Sequence, residues 1–451
     1  MSCLACAFLA AAEAAPSYYT LPSARAAFAW AREHLVSTGP STQGEGACGW
    51  TRSTYAAGVW KYYAATGDTD ARDDLVLWGK QRNYSLCTTS GIWTNPCAFN
   101  TTASCADNQL CAGTYIELYK AGLDLPTPHS LDTLRPIADE LQKEIAAGSI
   151  TDGSWVKVDL TYMAMAALSR LGAVTGDAAY FEKQWNNFNA TMLEPLRPAA
   201  PGRPATFNLF NLTDSLFYQN AKLVGTDEYW GRGQGWAMLG LIDALRFGDA
   251  AEVKGGAADP HRGEYIRIFK LFAARLVGLQ GSDGKKSGPV RIQFSYTPSK
   301  KHTRTALLIN ICDCLHSLLF RIFYITSTLC SCAHNFNDMR TGAWRSSLLH
   351  PQLFPQPETS GTASLTAGLA YGVNAGLLDR QAFAPAVMRA WGFLSNSALN
   401  SSGFLGHCQP NGGGPSTKPF ANATTDYCVG MFLMAAVEVA AMEPNQTSEL
   451  A

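Results

Sequence analysis

From residue 24 to residue 441 the chain alternates two kinds of helical stretch, and that alternation leaves few folds open to it. Apolar residues recur at helical spacing in 24–36, 52–66, 69–82, 108–121, 130–146, 160–174, 177–193, 233–246, 261–280, 361–376, 379–396 and 427–441. Short joins such as Gly67-Asp68 and Thr175-Gly176 make consecutive stretches into antiparallel pairs. One member of each pair is rich in small residues and hydrophobic nearly all round, as an inner helix must be, and the other is amphipathic. Inner stretches start near 52, 108, 160, 233, 361 and 427, so the pattern predicts an all-α, closed (α/α)6 barrel of six helical hairpins, a single domain over 21–451. An open right-handed solenoid of fewer pairs is the competing arrangement.

Charge excludes several function classes. The 451 residues carry 35 Lys and Arg against 36 Asp and Glu, a net charge of −1. A neutral surface does not suit a nucleic-acid binder or a polybasic membrane surface. The chain is 47% hydrophobic and 11% aromatic, enough for a large core and for rings that stack on sugars.

Cys3 to Ala12 is an apolar run of leader length, followed by the small-x-small pattern Ala12-Glu13-Ala14, so residues 1–20 read as a signal peptide although Lys and Arg do not precede the run. Seven N-x-S/T sequons, at Asn83, Asn100, Asn189, Asn211, Asn400, Asn422 and Asn445, fit a chain that enters the secretory lumen. Cysteines gather at Cys87, Cys97, Cys105 and Cys111, and again at Cys408 and Cys428, where an oxidising compartment would allow local disulfides of unassigned connectivity.

One interval breaks the rhythm. The inner starts at 233 and 361 are 128 residues apart, against 52 to 73 elsewhere. The excess, 285–342, holds eight basic residues and two acidic ones, so it carries +6 while the rest of the chain carries −7. Gly284-Lys285 and Thr341-Gly342 can be encoded as a splice donor and an acceptor in the same phase. The segment therefore reads as retained intron, whose removal joins Gly284 to Ala343. Two rival readings are zinc ligation by Cys312-x-Cys314-x-His316 with Cys330-x-Cys332-x-His334, and a membrane span over 306–329. The zinc spacing is unusual, and Asp313, His316 and Arg321 interrupt the apolar run, so neither metal nor membrane is expected.

Paired carboxylates are the main chemical signal. Asp107, in Ala106-Asp107-Asn108-Gln109, and Asp159, in Val158-Asp159-Leu160-Thr161, each open an inner helix in consecutive repeats. Parallel inner helices put their N-termini at one mouth, so the two acids would face one cavity. Aspartate is also a favoured N-cap, and capping explains both positions without chemistry. In Trp230-Gly231-Arg232-Gly233-Gln234-Gly235-Trp236 the G-x-G-x-G spacing is not a phosphate-loop pattern, and its glycines predict a tight turn into the fourth inner helix. There Arg232 could meet an anion, or simply bridge a carboxylate within a packed turn. Glu358-Thr359-Ser360-Gly361 opens the fifth inner helix, with Thr359 and Ser360 readable as sugar contacts or as caps. His407 precedes the sixth, in a loop where a surface role competes with a contact to ligand.

Together these strings resemble glycoside hydrolase family 105, the unsaturated rhamnogalacturonyl hydrolases, and the related family 88, the unsaturated glucuronyl hydrolases. The resemblance spans most of the chain outside 1–20 and 285–342 and includes Trp50-Thr51, Asp107, Asp159 with Met163, Trp230-x-Arg232-Gly233-x-Gly235-Trp236, Glu358 to Ala363, Gly403-x-Leu405-Gly406 and Gln409-Pro410. It implies an (α/α)6 barrel without cofactor or metal, probing no nucleic acid or membrane, expected to be a monomer. Its substrates would be oligosaccharides ending in a Δ4,5-unsaturated uronic acid, as polysaccharide lyases leave them. It further implies that Asp159 is the acid/base that protonates C4 and activates water, with Asp107 the second essential carboxylate. Trp50, Trp230, Arg232, Trp236, Gln219, Thr359, Ser360 and His407 would contact sugar. The chain departs from the family pattern at Gln219-Asn220 and at Gln234, which bears on substrate preference. A noncatalytic carbohydrate-binding toroid and another (α/α)6 enzyme, an epimerase or a lyase, are the alternatives.

Overall fold

The computed structural model describes residues 20–36, 49–81, 84, 105–123, 157–195, 206–249, 255–280 and 342–442. The side chains of 105–108 and 160 lie outside that description, as do the helix expected at 130–146, the segment 281–341 with its Cys and His pairs, and the leader. Eleven helices fall in the described residues: α1 (Thr20–Ala31), α2 (Trp50–Thr66), α3 (Thr69–Gln81), α4 (Cys105–Lys120), α5 (Leu160–Thr175), α6 (Ala178–Phe188), α7 (Gly231–Phe247), α8 (Arg262–Leu279), α9 (Thr359–Asn374), α10 (Arg380–Phe393) and α11 (Asp426–Ala440). A two-stranded antiparallel ribbon, β1 (Phe210–Asn211) with β2 (Leu216–Phe217), stands before α7.

The inner helices close a ring in the order α2, α4, α5, α7, α9, α11 and back to α2, and the solenoid alternative falls with that closure. Outside it, α3 packs on α2, α6 on α5, α8 on α7 and α10 on α9. A fifth pair among the described residues is not consecutive: α1 packs on α11, so an early and a late helix complete one another, while the partner expected for α4 at 130–146 lies outside the described residues. Composition makes the seam possible. A Cβ at Gly58 would sit 2.2 Å from the Gly430 carbonyl oxygen, so α2 and α11 approach backbone to backbone.

Inner helices begin where the periodicity predicts or up to three residues earlier; α7 and α9 each gain two residues, Gly231-Arg232 and Thr359-Ser360, that are glycine or polar. Glu358 caps α9 by accepting from Ser360 N (2.9 Å) and Gly361 N (2.6 Å), so neither Thr359 nor Ser360 is the cap. Likewise the Gly-rich string before Trp236 is helix rather than turn. Its glycines make room: a Cβ at Gly231 would lie 2.4 Å from Arg345 O, and one at Gly235 2.8 Å from Ser364 Cβ.

Deep in the ring, at the end opposite the helix starts, lies a buried ionic floor. Arg170 of α5 donates to Asp243 Oδ2 (2.8 Å) and Glu117 Oε1 (2.9 Å) and lies over the Phe247 ring. Arg246 and Lys61 both pair with Glu438. Opposite charges in contact offset the desolvation that burying any one of them would cost.

Candidate active site

Asp159 stands where the chain enters α5. Ahead of it Val158 N donates to Gln219 O (2.9 Å), and Lys157 bridges Asn220, so the segment 157–159 is stitched to the strand leading out of β2. The Asp159 backbone is already helical, with φ −56° and ψ −35°, and its carboxyl makes no capping bond. Oδ1 is buried and accepts no hydrogen bond from the protein. Burial pushes its pKa up to about 6, against the pull of Lys157 and Arg232. The capping explanation therefore does not hold for Asp159. Asp107 falls in the first turn of α4, inside the helix rather than ahead of it, and α4 packs directly on α5. Its side chain lies outside the described residues.

An aromatic wall faces this end of the ring. Trp236 is buried and stacks on Tyr162 with ring centroids 5.7 Å apart and planes at 15°. Trp50, half-buried, meets Trp236 edge-on at 5.6 Å and leans on Tyr427 at 4.8 Å. Four helix starts, those of α2, α5, α7 and α11, thus bring their rings together.

Arg232 is held by the protein. Its guanidinium lies between the Trp230 and Tyr427 rings, at 4.7 and 5.1 Å. Nη1 donates to Gln409 O (3.0 Å) and Tyr427 Oη (3.1 Å), and Nη2 to Pro410 O (3.1 Å). Trp230 is tied to the same loop, its Nε1 donating to Gln409 Oε1 (2.7 Å). Gln234 turns into the protein and bonds both the N–H (2.9 Å) and the carbonyl (2.6 Å) of Phe217, so it anchors the ribbon to α7. Gln219, beside Asp159 through its backbone, is half-buried, and a Cβ at Gly414 would lie 3.6 Å from its Oε1.

The remaining expected contacts serve the frame. Thr359 Oγ1 donates to Gly406 O (2.7 Å) and its N–H to His407 O (3.0 Å); Ser360 Oγ donates to Glu358 Oε1 (2.5 Å). His407 adopts φ +57° and sets its ring edge-on to Phe393 of α10, on the outer layer. Cys408 and Cys428 form a disulfide. Sequence reasoning did not single out Tyr162, Tyr427 or Gln409 for a role. Tyr162 and Tyr427 carried one usable signal, an aromatic two or three positions into an inner helix; the bonds of Gln409 reach partners more than 170 residues away.

Among the described residues there is no group of His, Cys, Asp and Glu that could hold a metal ion, and no helix long and apolar enough to cross a membrane. What the arrangement can do is hold a carboxyl that carries a proton near pH 6, unpartnered, next to rings suited to a sugar face.

Comparison with known proteins agrees with this layout. The chain is 28% identical over 251 residues to an unsaturated 3S-rhamnoglycuronyl hydrolase of Formosa agariphila, covering 53% of this chain and 49% of that protein, so the match spans about half the relative's length. It is 22% identical over 413 residues to a protein of the same name from an Alteromonas species, covering 86% and 77%. Among solved structures, a glycosyl hydrolase family 88 protein from Bacteroides vulgatus superposes with a TM-score of 0.66 at 22% identity, covering 95% of this chain and 99% of that one. A possible family 105 member from Salmonella enterica gives 0.58 at 16%, covering 88% and 84%. The sequence profile of Glycosyl Hydrolase Family 88 matches residues 25–286 and 321–443, and the chain belongs to that family.

Proposed function

We propose that this chain removes a Δ4,5-unsaturated uronic acid from the non-reducing end of lyase-generated oligosaccharides by hydrating the double bond. The observation that carries the reading is the state of Asp159: at an inner-helix start, its Oδ1 buried, its carboxyl making no capping bond and with a pKa of about 6, beside an aromatic wall. Such a carboxyl can give its proton to C4 of the vinyl ether. The π electrons form the new C4–H bond, positive charge gathers at C5, and water adds there while its proton returns to the carboxylate. The resulting hemiketal opens and releases the next sugar. This differs from attack at the anomeric carbon between two carboxylates.

The names of the curated relatives make an unsaturated glycuronyl-rhamnose unit the first substrate to test, beside pectin and rhamnogalacturonan digests. Incubation with lyase digests is expected to bleach the unsaturated-uronate absorbance. Binding of saturated oligosaccharides without turnover would instead favour a noncatalytic toroid. The Cys408–Cys428 disulfide and the exposed sequons Asn400 and Asn422 support a secretory-lumen location.

We further propose that residues 285–342 are dispensable. Gln280 Nε2 donates to Gly342 O (2.8 Å), so the residues flanking 281–341 meet. Gly342 has φ +74°, and a Cβ there would lie 2.2 Å from Arg389 O, so only glycine fits. Deleting 285–342 supplies that glycine as Gly284, next to Ala343. A deleted chain that fails to fold, or mature transcripts that all retain the intervening codons, would overturn this proposal.

A further inference from the structure

The attachment of the loop 403–425 to the mouth has a covalent component. Cys408 immediately precedes Gln409, and Cys428 immediately follows Tyr427; the disulfide holds their Cα atoms 6.1 Å apart. Between those two neighbours the contacts converge. Gln409 O accepts from both Arg232 Nη1 and Tyr427 Oη, and Pro410 O accepts from Arg232 Nη2. The Gln409 side chain accepts from Trp230 Nε1 and donates to Gly414 O (2.8 Å) and Thr417 O (2.7 Å). Its N–H reaches Glu358 Oε1 at 3.3 Å, tying the loop to the cap of α9.

We infer that the Cys408–Cys428 disulfide is a positioning device for the mouth, clamping the Gln409–Pro410 carbonyls against Tyr427 so that Arg232 and Trp230 stay in register beside Asp159. The loop has other anchors: Cys408 N donates to Ala423 O, His407 N to Phe420 O and Gly406 N to Ala398 O. Breaking the disulfide therefore loosens the clamp without dissolving the loop. Once the two carbonyls drift, the terminal nitrogens of Arg232 lose their acceptors, and the cation is freer to turn to the Asp159 carboxylate. Water also gains access to the same carboxyl. Both changes favour the ionised form of Asp159. A purely structural disulfide would lower the amount of folded enzyme and leave the pH dependence of what remains unchanged.

This inference rests on the proposed role of Asp159, and the test separates the two. The oxidised full chain is first assayed on an unsaturated lyase-derived disaccharide; inert wild type would sink the proposed activity, not the clamp. With active wild type, Cys408→Ser/Cys428→Ser is compared across pH, with circular dichroism as the folding control. Because other cysteines are present, this double variant is the decisive arm and a thiol reductant on wild type is the parallel one. The expected result is a fall in kcat/KM of about tenfold or more with native helicity kept, and a basic limb of the kcat profile displaced to lower pH. Unchanged kcat, KM and profile would overturn the inference, as would a loss that tracks unfolding with the profile unmoved. If the double variant fails to fold, the single variant Cys428→Ala serves instead: it breaks the same bond, leaves the loop's backbone anchors in place, and is expected to displace the limb in the same direction. An unmoved limb in that variant overturns the inference.

Discussion

Asp159 and Glu358 each stand one residue ahead of an inner helix, yet only Glu358 gives its carboxylate to the helix end. Glu358 bonds two backbone N–H groups and the Ser360 hydroxyl, whereas Asp159 Oδ1 is buried and bonds none. The difference begins in the backbone. Glu358 is extended, at φ −119° and ψ 116°, so its side chain folds back over the helix start; Asp159 is already helical, and its side chain projects away.

Asp159→Asn keeps the shape and removes the proton. Turnover of an unsaturated uronyl substrate is expected to fall by about 10²–10⁴-fold, the usual worth of a positioned acid. In the wild type, kcat should decline as pH rises through about 6, where Asp159 loses its proton. A rate flat from pH 5 to pH 8 would remove Asp159 from the role of acid.

The same substitution should stabilise the protein at neutral pH. The folded pKa, about 6, lies above the ordinary value of 3.8, so ionisation is disfavoured in the native state. Well below 3.8 both states are protonated and the substitution does nothing. Between about pH 4 and 6 the unfolded carboxyl ionises while the native one keeps its proton, so the wild type loses stability; above 6 the native state carries a buried charge and the loss is complete. That penalty is on the order of 1–3 kcal/mol. Thermal melts of the variant should run above wild type at pH 8 and converge on it at about pH 3.

Trp50 is the accessible edge of the aromatic wall, while Trp236 behind it is buried. Trp50→Ala should raise KM by about tenfold, the equivalent of one lost ring contact, with kcat changed less. Trp236→Ala, by contrast, should cost about 3–5 kcal/mol of stability. Steady-state kinetics and denaturant melts distinguish the two outcomes.

On the ionic floor, Asp243→Ala leaves Arg170 with Glu117 and the Ala166 carbonyl and should destabilise the fold by about 3–5 kcal/mol, because a buried cation loses its bidentate partner. Chemical denaturation reads this directly. A loss under 1 kcal/mol would mean that the floor is hydrated.

Of the sequons, Asn211 differs from Asn400 and Asn422. Its Nδ2 donates to Asp214, Tyr218 Oη and Tyr229 Oη, a cluster that closes the ribbon, while Asn400 and Asn422 are exposed. Secreted from a glycosylating host, the folded protein should carry glycans at Asn400 and Asn422 and none at Asn211, as peptide mapping would show.

The ring was legible because each inner helix must be apolar on nearly every side, a property that survives in sequence whatever the partner. The sequence places the starts of α7 and α9 two residues late because Gly231, Thr359 and Ser360 look like turn and cap residues, and only the tertiary contacts show that the glycines make space and that Glu358 is the cap. Asp159 was legible as a position but not as a state. An aspartate ahead of a helix caps or stays uncapped according to one pair of backbone angles, which composition does not encode. Arg232 was legible as a cation at the mouth, but its engagement by Gln409 and Pro410 depends on a loop some 180 positions downstream, beyond any local pattern.

The seam between Gly58 and Gly430 has a consequence for how the molecule is made. Its two sides are separated by nearly the whole chain, and α1 waits for the same final helix. A ribosome must therefore release almost all of the polypeptide before the first inner helix finds its second neighbour, so the early apolar faces stay uncovered for tens of seconds at ordinary elongation rates. Small C-terminal truncations that reach α11 should therefore yield aggregated protein rather than a weakened enzyme.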